Sequence, residues 1–366
     1  MRSDRRSAPG VHIVLLAVAR SPIGGYKVAY EYANALVDLG VPVTVWHSES
    51  LQAFTGGRRR LWPAVRSVLA WWLRGQRRDW RRHGVTWFAL DERVQLRATG
   101  WFPRIRLADG DALLATAVQT MPFVADVAAR HGRRSAALIQ HYETWADTPE
   151  QITAAWAAVD ERVVIAPWLA EKCDEAGLSS HLLPNALVAD EYPLGPPIGE
   201  RPSRVLSLLS PHGYKRPDVV IGALTEVLRQ RPDTEVYTFG PAPERPDMTS
   251  AIHYVADPSP ERLRELYQSS RVYMCGSDEE GWHLPPAEAT LSGAAVVSTD
   301  IGGVRASMEG DALYAPRGDV DALAAQVISA LDDEPASQVR TDRARARLLA
   351  TTYAGNATRL RGILGV

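Results

Sequence analysis

Ser277-Asp278-Glu279-Glu280-Gly281-Trp282-His283-Leu284-Pro285-Pro286-Ala287-Glu288 sets two carboxylates, Glu280 and Glu288, eight residues apart around a turn that opens a helix. An apolar, strand-like run, Arg271-Val272-Tyr273-Met274-Cys275, comes before it. Pro285 or Pro286 suits the first helical position, where a missing N–H costs nothing. A helix start offers unpaired amides and a partial positive charge to a phosphate, and each glutamate can accept paired hydrogen bonds from vicinal hydroxyls. An anionic leaving group bonded to a polyol, as in a nucleotide-sugar, presents both kinds of group. Taken alone, the same residues also describe a loop-to-helix junction with capping acids.

The neighbouring residues extend the pattern. Ser292-Gly293 closes the helix, and Ala294 to Thr299 reads as a buried strand. Asp300-Ile301-Gly302-Gly303-Val304 forms a glycine turn, and Leu313-Tyr314-Ala315-Pro316-Arg317-Gly318-Asp319 leads into a further helix. In this order, over about sixty residues, the series resembles the donor-binding domain of the retaining glycosyltransferases of family four, GT-B enzymes with a paired-glutamate signature. The resemblance implies two Rossmann-like domains with parallel sheets facing an interdomain cleft.

Size and charge agree with a two-domain α/β protein. A chain of 366 residues exceeds one ordinary core, its 41 basic and 43 acidic side chains nearly balance, and 46 % of it is hydrophobic. That balance disfavours nucleic acid as a partner. No apolar run reaches the eighteen or so residues of a membrane helix, and Val11 to Ala19 ends in Arg20 and Ser21-Pro22, as a first strand and not a signal peptide. Cys173 and Cys275 lie in core-like segments, so neither a disulfide framework nor a cysteine metal site is indicated. A cytoplasmic protein is expected. Lysine is scarce, at Lys27, Lys172 and Lys215 only, against 38 arginines.

Apolar runs alternate with amphipathic stretches along the chain, which predicts βα units and parallel sheets with helices on both faces. Strands are expected at Val11 to Ala19, Val43 to Trp46, Ala112 to Ala117, Ala136 to Ile139 and Val163 to Ala166, with a helix over Lys27 to Leu39. The polar stretch Asp190 to Ser203, rich in proline and glycine, is the expected linker. Beyond it Val205 to Leu209 and Glu235 to Phe239 read as strands around a helix at Pro217 to Arg231. We therefore expect an acceptor-side domain over 1–188 and a nucleotide-sugar domain over 189–345. Thr341 to Leu364 reads as helix, and the resemblance implies that 346–366 returns to the first domain.

Other motifs fall where α/β proteins place ligands, at the carboxyl ends of strands. Ser21-Pro22-Ile23-Gly24-Gly25-Tyr26-Lys27 lacks the Gly-x-Gly-x-x-Gly spacing of a dinucleotide site, so a nicotinamide cofactor is disfavoured. Followed by Glu31, Ala33 and Leu36, it is similar to the first turn of family-four enzymes, which implies that Gly24 and Gly25 approach the sugar and the acceptor. Gln140-His141-Tyr142-Glu143-Thr144-Trp145 follows a buried strand. The resemblance, closest in flavour to a bacterial rhamnosyltransferase subgroup, implies that His141 points at the donor sugar, with Tyr142 and Glu143 on the acceptor side.

Ser210-Pro211-His212-Gly213-Tyr214-Lys215-Arg216-Pro217 leads into the first helix of the second half. In the resembling family an arginine and a lysine there clamp the diphosphate. Lys215 matches the lysine; the arginine is absent at its usual spacing, so either His212 or Arg216 substitutes, or diphosphate neutralisation is weaker. His283 stands where the family commonly has glycine, and its side chain is expected beside the donor sugar or narrowing its pocket. Asp109-Gly110-Asp111 and Asp319-Val320-Asp321 space carboxylates as in metal-dependent transferases but read as a loop and a helix cap, and neither is assigned a metal. Arg58 to Arg82 mixes nine arginines with Trp62, Trp71, Trp72 and Trp80, suiting either a helix on anionic lipid or one whose tryptophans face the core.

These readings converge on a metal-independent hexosyltransferase that needs no cofactor beyond its nucleoside-diphosphate sugar. It would move a hexosyl or deoxyhexosyl group to a hydroxyl acceptor on a cell-envelope glycan or natural product. Glu280, His141 and Lys215 are the catalytic candidates. Gly24, Gly25, His212, Lys215, Arg216, Gly281, Trp282, His283, Leu284 and Glu288 are the donor-binding ones. A nucleotide-sugar epimerase, a phosphorylase-like enzyme and a non-catalytic sugar-nucleotide binder are the alternatives.

Overall fold

The computed structural model describes residues 8–19, 21–48, 85–99, 105–241 and 248–366. The basic stretch Arg58 to Arg82 lies outside the described residues. The chain divides into two compact units, Met1–Asn185 with Tyr353–Val366, and Ala186–Thr352.

In the first unit the strands are β1 (Val11–Leu15), β2 (Val43–Ser48), β3 (Gln95–Thr99), β4 (Ala112–Ala115), β5 (Arg134–Ile139), β6 (Glu161–Val164) and β7 (His181–Leu182). They form one parallel sheet in the order β3-β2-β1-β4-β5-β6-β7, with Val11 aligned to Val43 on one side and to Ala112 on the other. The strand order reverses beside β1. The second unit holds β8 (Arg204–Leu208), β9 (Glu235–Gly240), β10 (Ile252–Ala256), β11 (Val272–Cys275), β12 (Ala295–Thr299) and β13 (Leu313–Ala315), parallel in the order β10-β9-β8-β11-β12-β13. Its reversal lies between β8 and β11, and the crevice at such a switch point is where open α/β sheets bind ligands.

Central strands such as β4 and β12 are buried at every residue, as expected of parallel sheets covered on both faces. Over the second sheet, the helix Pro217–Gln230 packs through Val219, Val220, Ala223, Leu224 and Val227, and Val320–Asp332 packs through Leu323, Ala324 and Val327. Each aliphatic side chain so buried contributes about 1.5–3 kcal/mol relative to exposure.

Two expectations are corrected. Gly24 and Gly25 are not a turn before a helix: the helix Gly24–Asp38 starts on them. The stretch Thr341 to Leu364 is not one helix either. Glu334–Ala350 ends at Thr351, and Tyr353–Leu364 is a separate helix in the first unit. There Tyr353 meets Tyr32 edge to face at 5.6 Å, and Asn356 Nδ2 donates to the Pro184 carbonyl at 2.7 Å.

Candidate functional site

After β11 the chain turns through Gly276-Ser277 to Glu280 and enters the helix Leu284–Leu291. Glu280 is 6 % exposed, and its Oε1 is the meeting point of three groups. Lys215 Nζ donates to it at 2.5 Å, Ser277 Oγ donates at 2.8 Å, and His283 Nδ1 lies 2.6 Å away. Lys215 comes from the turn after β8, so the site straddles the sheet's switch point. A Cβ at Gly303 would collide with the Glu280 carbonyl, which explains the glycine turn after β12.

Burial works to raise the Glu280 carboxyl, but the charges beside it win and hold it well below the usual carboxylate range. Burial lowers His283 despite the pull of Glu280, and it is His283 and Lys215 together that hold Glu280 low against its burial. His283 adopts φ 61 and ψ 90, a left-handed conformation that favours glycine, with its side chain 2 % exposed. This side chain turns inward onto Glu280 and lines a small cavity together with Lys215 and Ser277. Gly281 and Trp282 between them are buried.

The four amides at a helix start lack intrahelical partners. Here two of those positions are Pro285 and Pro286, which leaves the His283 and Leu284 amides as the donors. Glu288, one turn on, accepts from Tyr192 Oη at 2.7 Å on Oε1 and from Tyr267 Oη at 2.9 Å on Oε2.

The other second-unit candidates do not join this cluster. Arg216, at φ 48, directs its guanidinium to Asp218 and to Asp278 Oδ2 at 3.0 Å. His212 is exposed and stacks on Tyr214 at 5.7 Å. Cations near a helix start oppose its dipole; here Glu280 pairs with Lys215, and Asp218 and Asp278 pair with Arg216. Asp319 caps its helix by accepting from the Ala322 amide at 2.9 Å, Asp111 accepts from the Gly10 amide at 2.8 Å, and Asp109 pairs with Arg133.

In the first unit, candidates gather at the carboxyl ends of β1 and β5. Gln140 Nε2 donates to the Gly25 carbonyl at 3.0 Å, tying the two strand ends together. The His141 ring lies 4.5 Å from Trp145 and 5.9 Å from Trp168, both edge to face. Tyr142 packs edge to face on Trp156 at 5.6 Å. Glu143 accepts weakly from the Val118 amide at 3.3 Å. Burial pushes its carboxyl up to about 7, with the Val118 amide pulling down and Asp147 adding to the rise.

Two parallel, doubly wound sheets of seven and six strands match solved structures over nearly the whole chain. Sucrose-phosphate synthase from Thermosynechococcus elongatus is 15 % identical, with a TM-score of 0.68, covering 97 % of this chain and 98 % of that one. Anabaena HepE in complex with UDP and glucose is 13 % identical, TM-score 0.70, covering 97 % and 99 %. TarM, of S. aureus, is 8 % identical, TM-score 0.71, covering 99 % and 100 %. The chain has the GT-B fold. Within the GT-B chain, residues 204–333, which include Lys215, Glu280 and Glu288, match the family described as glycosyl transferases group 1. No curated protein matches the chain.

Four polar partners escaped the sequence reading. Ser277 lies three residues before Glu280 and could have been inferred from that spacing. Tyr192 and Tyr267 on Glu288, and Gln140 on Gly25, come from distant segments and carry no local signal.

Among the described residues, no group of three His, Cys, Asp or Glu could hold a metal ion, and no helix is long and apolar enough to cross a membrane.

Proposed function

We propose that this protein is a retaining, metal-independent glycosyltransferase that moves a hexosyl or deoxyhexosyl group from a nucleoside diphosphate to a hydroxyl acceptor. The observation that carries the reading is the Lys215–Glu280 pair at 2.5 Å beside a helix start whose prolines leave only the His283 and Leu284 amides free for an anion. It lies inside the segment matched to glycosyl transferases group 1. HepE, a structural neighbour, is recorded in complex with UDP-glucose, which supports a nucleotide-sugar donor here.

In this reading Glu288 holds the ribose and Glu280 the sugar hydroxyls through Oε2, because Oε1 is already occupied. Lys215 and the two amides take the diphosphate. The bond between the anomeric carbon and the phosphate oxygen breaks with its electrons passing to the diphosphate. The acceptor oxygen bonds to that carbon on the same face, and its proton passes to the released phosphate oxygen. No enzyme nucleophile is required. Fixed donors aimed at the developing charge supply the main rate advantage, as such arrangements commonly do.

The test is a thermal-shift screen of UDP, GDP, ADP and dTDP sugars, followed by incubation with radiolabelled donor. A ligand at one hundred times its dissociation constant stabilises the protein by about 2.7 kcal/mol. Label transferred to an acceptor or to water supports the reading. Binding that survives Lys215→Met, with no donor cleavage in the wild type, would favour a non-catalytic binder, and isomerised donor would favour an epimerase.

A further inference from the structure

We propose that His283 is the positioning residue that keeps the Glu280 carboxylate in place when Lys215 turns toward a donor's diphosphate. The inference rests on the functional reading above, but its first test needs no nucleotide.

Lys215 carries two duties. It helps hold a buried carboxylate ionised, and it is the nearest charge for an anion at the helix start. A diphosphate beside it draws off part of that charge, and a buried carboxylate deprived of its cation is strongly disfavoured. Ser277 donates one hydroxyl to Oε1, which compensates for part of the loss. His283 is the remaining donor within reach, with Nδ1 at 2.6 Å from the same oxygen.

The backbone supports this role. A side chain at φ 61 is strained where glycine would not be, so its presence there needs a reason in the side chain itself. That side chain is 2 % exposed and turned onto Glu280, which excludes a surface role. Its Nδ1 makes a close approach and not an aligned hydrogen bond, and neither ring nitrogen has a hydrogen-bond partner. With Lys215 in place, Oε1 is already satisfied by better-aligned donors. Withdrawal of Lys215 frees the lone pair that Nδ1–H faces, and a small rotation aligns the contact. Catalytic hydrogen bonds commonly tighten in this way when ligand arrives. An imidazole N–H suits the task because it donates a hydrogen bond without competing with Lys215 for the donor's charge.

The experiment is a thermal-denaturation cycle at pH 7.5, without nucleotide, on wild type, Lys215→Met, His283→Gly and the double variant. Glycine is at ease at this φ, so His283→Gly is expected to melt at or above the wild-type temperature. Lys215→Met is expected to melt a few degrees lower. The double variant is expected to lose roughly 5 °C more than the sum of the two, the non-additivity of groups that share a partner. Lys215→Met/His283→Asn, whose amide donates and whose backbone tolerates φ above zero, is expected to recover most of that loss. Additivity within about 1 °C overturns the proposal.

Turnover then gives a second reading. His283→Gly lowers kcat roughly 10-fold to 100-fold with donor KM changed less than about threefold, as when an interaction made in the transition state is removed. His283→Asn restores kcat to within about fivefold. Wild-type turnover by the glycine variant overturns the role. A wild-type protein inert toward every nucleotide-sugar overturns the proposed function instead, and the melting cycle still judges the His283 contact.

Discussion

Glu280 and Glu143 are both withdrawn from solvent just past the carboxyl end of a central strand, one in each unit, yet their chemistry is opposite. Glu280 shares Oε1 with Lys215, Ser277 and His283 and is held far below the usual carboxylate range. Glu143 receives one weak backbone donor, at 3.3 Å from Val118, and burial carries its carboxyl up to about 7. Burial alone makes a glutamate a poor anion. A cation brought across from another strand end makes it a good one, at the cost of a pair that is sensitive to the loss of either member.

The largest test of that contrast is Glu280→Gln. It removes the charge but keeps the shape, and kcat/KM is expected to fall by about 10³-fold, or about 4 kcal/mol of transition-state stabilisation. Steady-state turnover of the preferred donor checks it; a loss below tenfold would mean the Lys215 pair is structural only.

Next comes Lys215→Met. Donor affinity is expected to weaken by about 10²-fold, near 3 kcal/mol, because both the diphosphate and Glu280 lose their cation. Calorimetric titration with the nucleoside diphosphate measures this.

Glu143→Gln should act through stability, with a distinct pH signature. The folded carboxyl at about 7 lies above the ordinary value of 4.5, so the folded state keeps its proton while the unfolded state has released it. Wild-type stability from this group is therefore complete below pH 4.5, falls as pH rises toward 7, and stays low above. The variant is expected to gain about 2 kcal/mol over wild type above pH 7 and nothing at pH 4.5, allowing for the partial exposure of this side chain. Urea melts across that range would show it, and a constant difference between the two proteins would refute it.

The smallest effect belongs to Glu288, whose donors are neutral. Tyr192→Phe removes one of them and is expected to cost about 1 kcal/mol of stability and a few-fold in donor KM. A larger effect on kcat than on KM would move Tyr192 from a ribose-side support into the reacting centre.

The sequence exposed the central elements of the fold and missed its margins. β1, β2, β4, β5, β6, β8, β9, β11 and β12 were anticipated from apolar runs. The four unrecognised strands, β3, β7, β10 and β13, are the sheet edges among the described residues. β3 uses polar residues, Gln95-Leu96-Arg97-Ala98-Thr99, and β7 and β13 span only two or three residues, so the continuous apolar signal fades; β10, Ile252-His253-Tyr254-Val255-Ala256, is largely apolar in sequence but only its first residue is buried. The helix break at Thr351 was invisible for a related reason: the two helices pack in different units, and periodicity does not record a change of partner.

Within the site, spacing along one segment placed Glu280 and Glu288 around a helix start, because a strand, a turn and a proline-opened helix are local structures, and the resemblance carried by the neighbouring residues gave them their roles. Lys215 as a cation near an anion came from the family resemblance, since a Lys-Arg pair at a helix start reads by itself as solvated charge. Its contact with Glu280 depends on two loops, 65 residues apart, meeting where the sheet order reverses. Likewise, that Arg216 would be taken by Asp218 and Asp278, that Tyr192 and Tyr267 would hold Glu288, and that His283 would turn inward were matters for the folded chain. Residue order determines which groups a short segment can present, since backbone geometry over a few residues is nearly fixed. Which charges they meet, and therefore whether a buried carboxylate ends as an anion or an acid, is set by packing between distant segments.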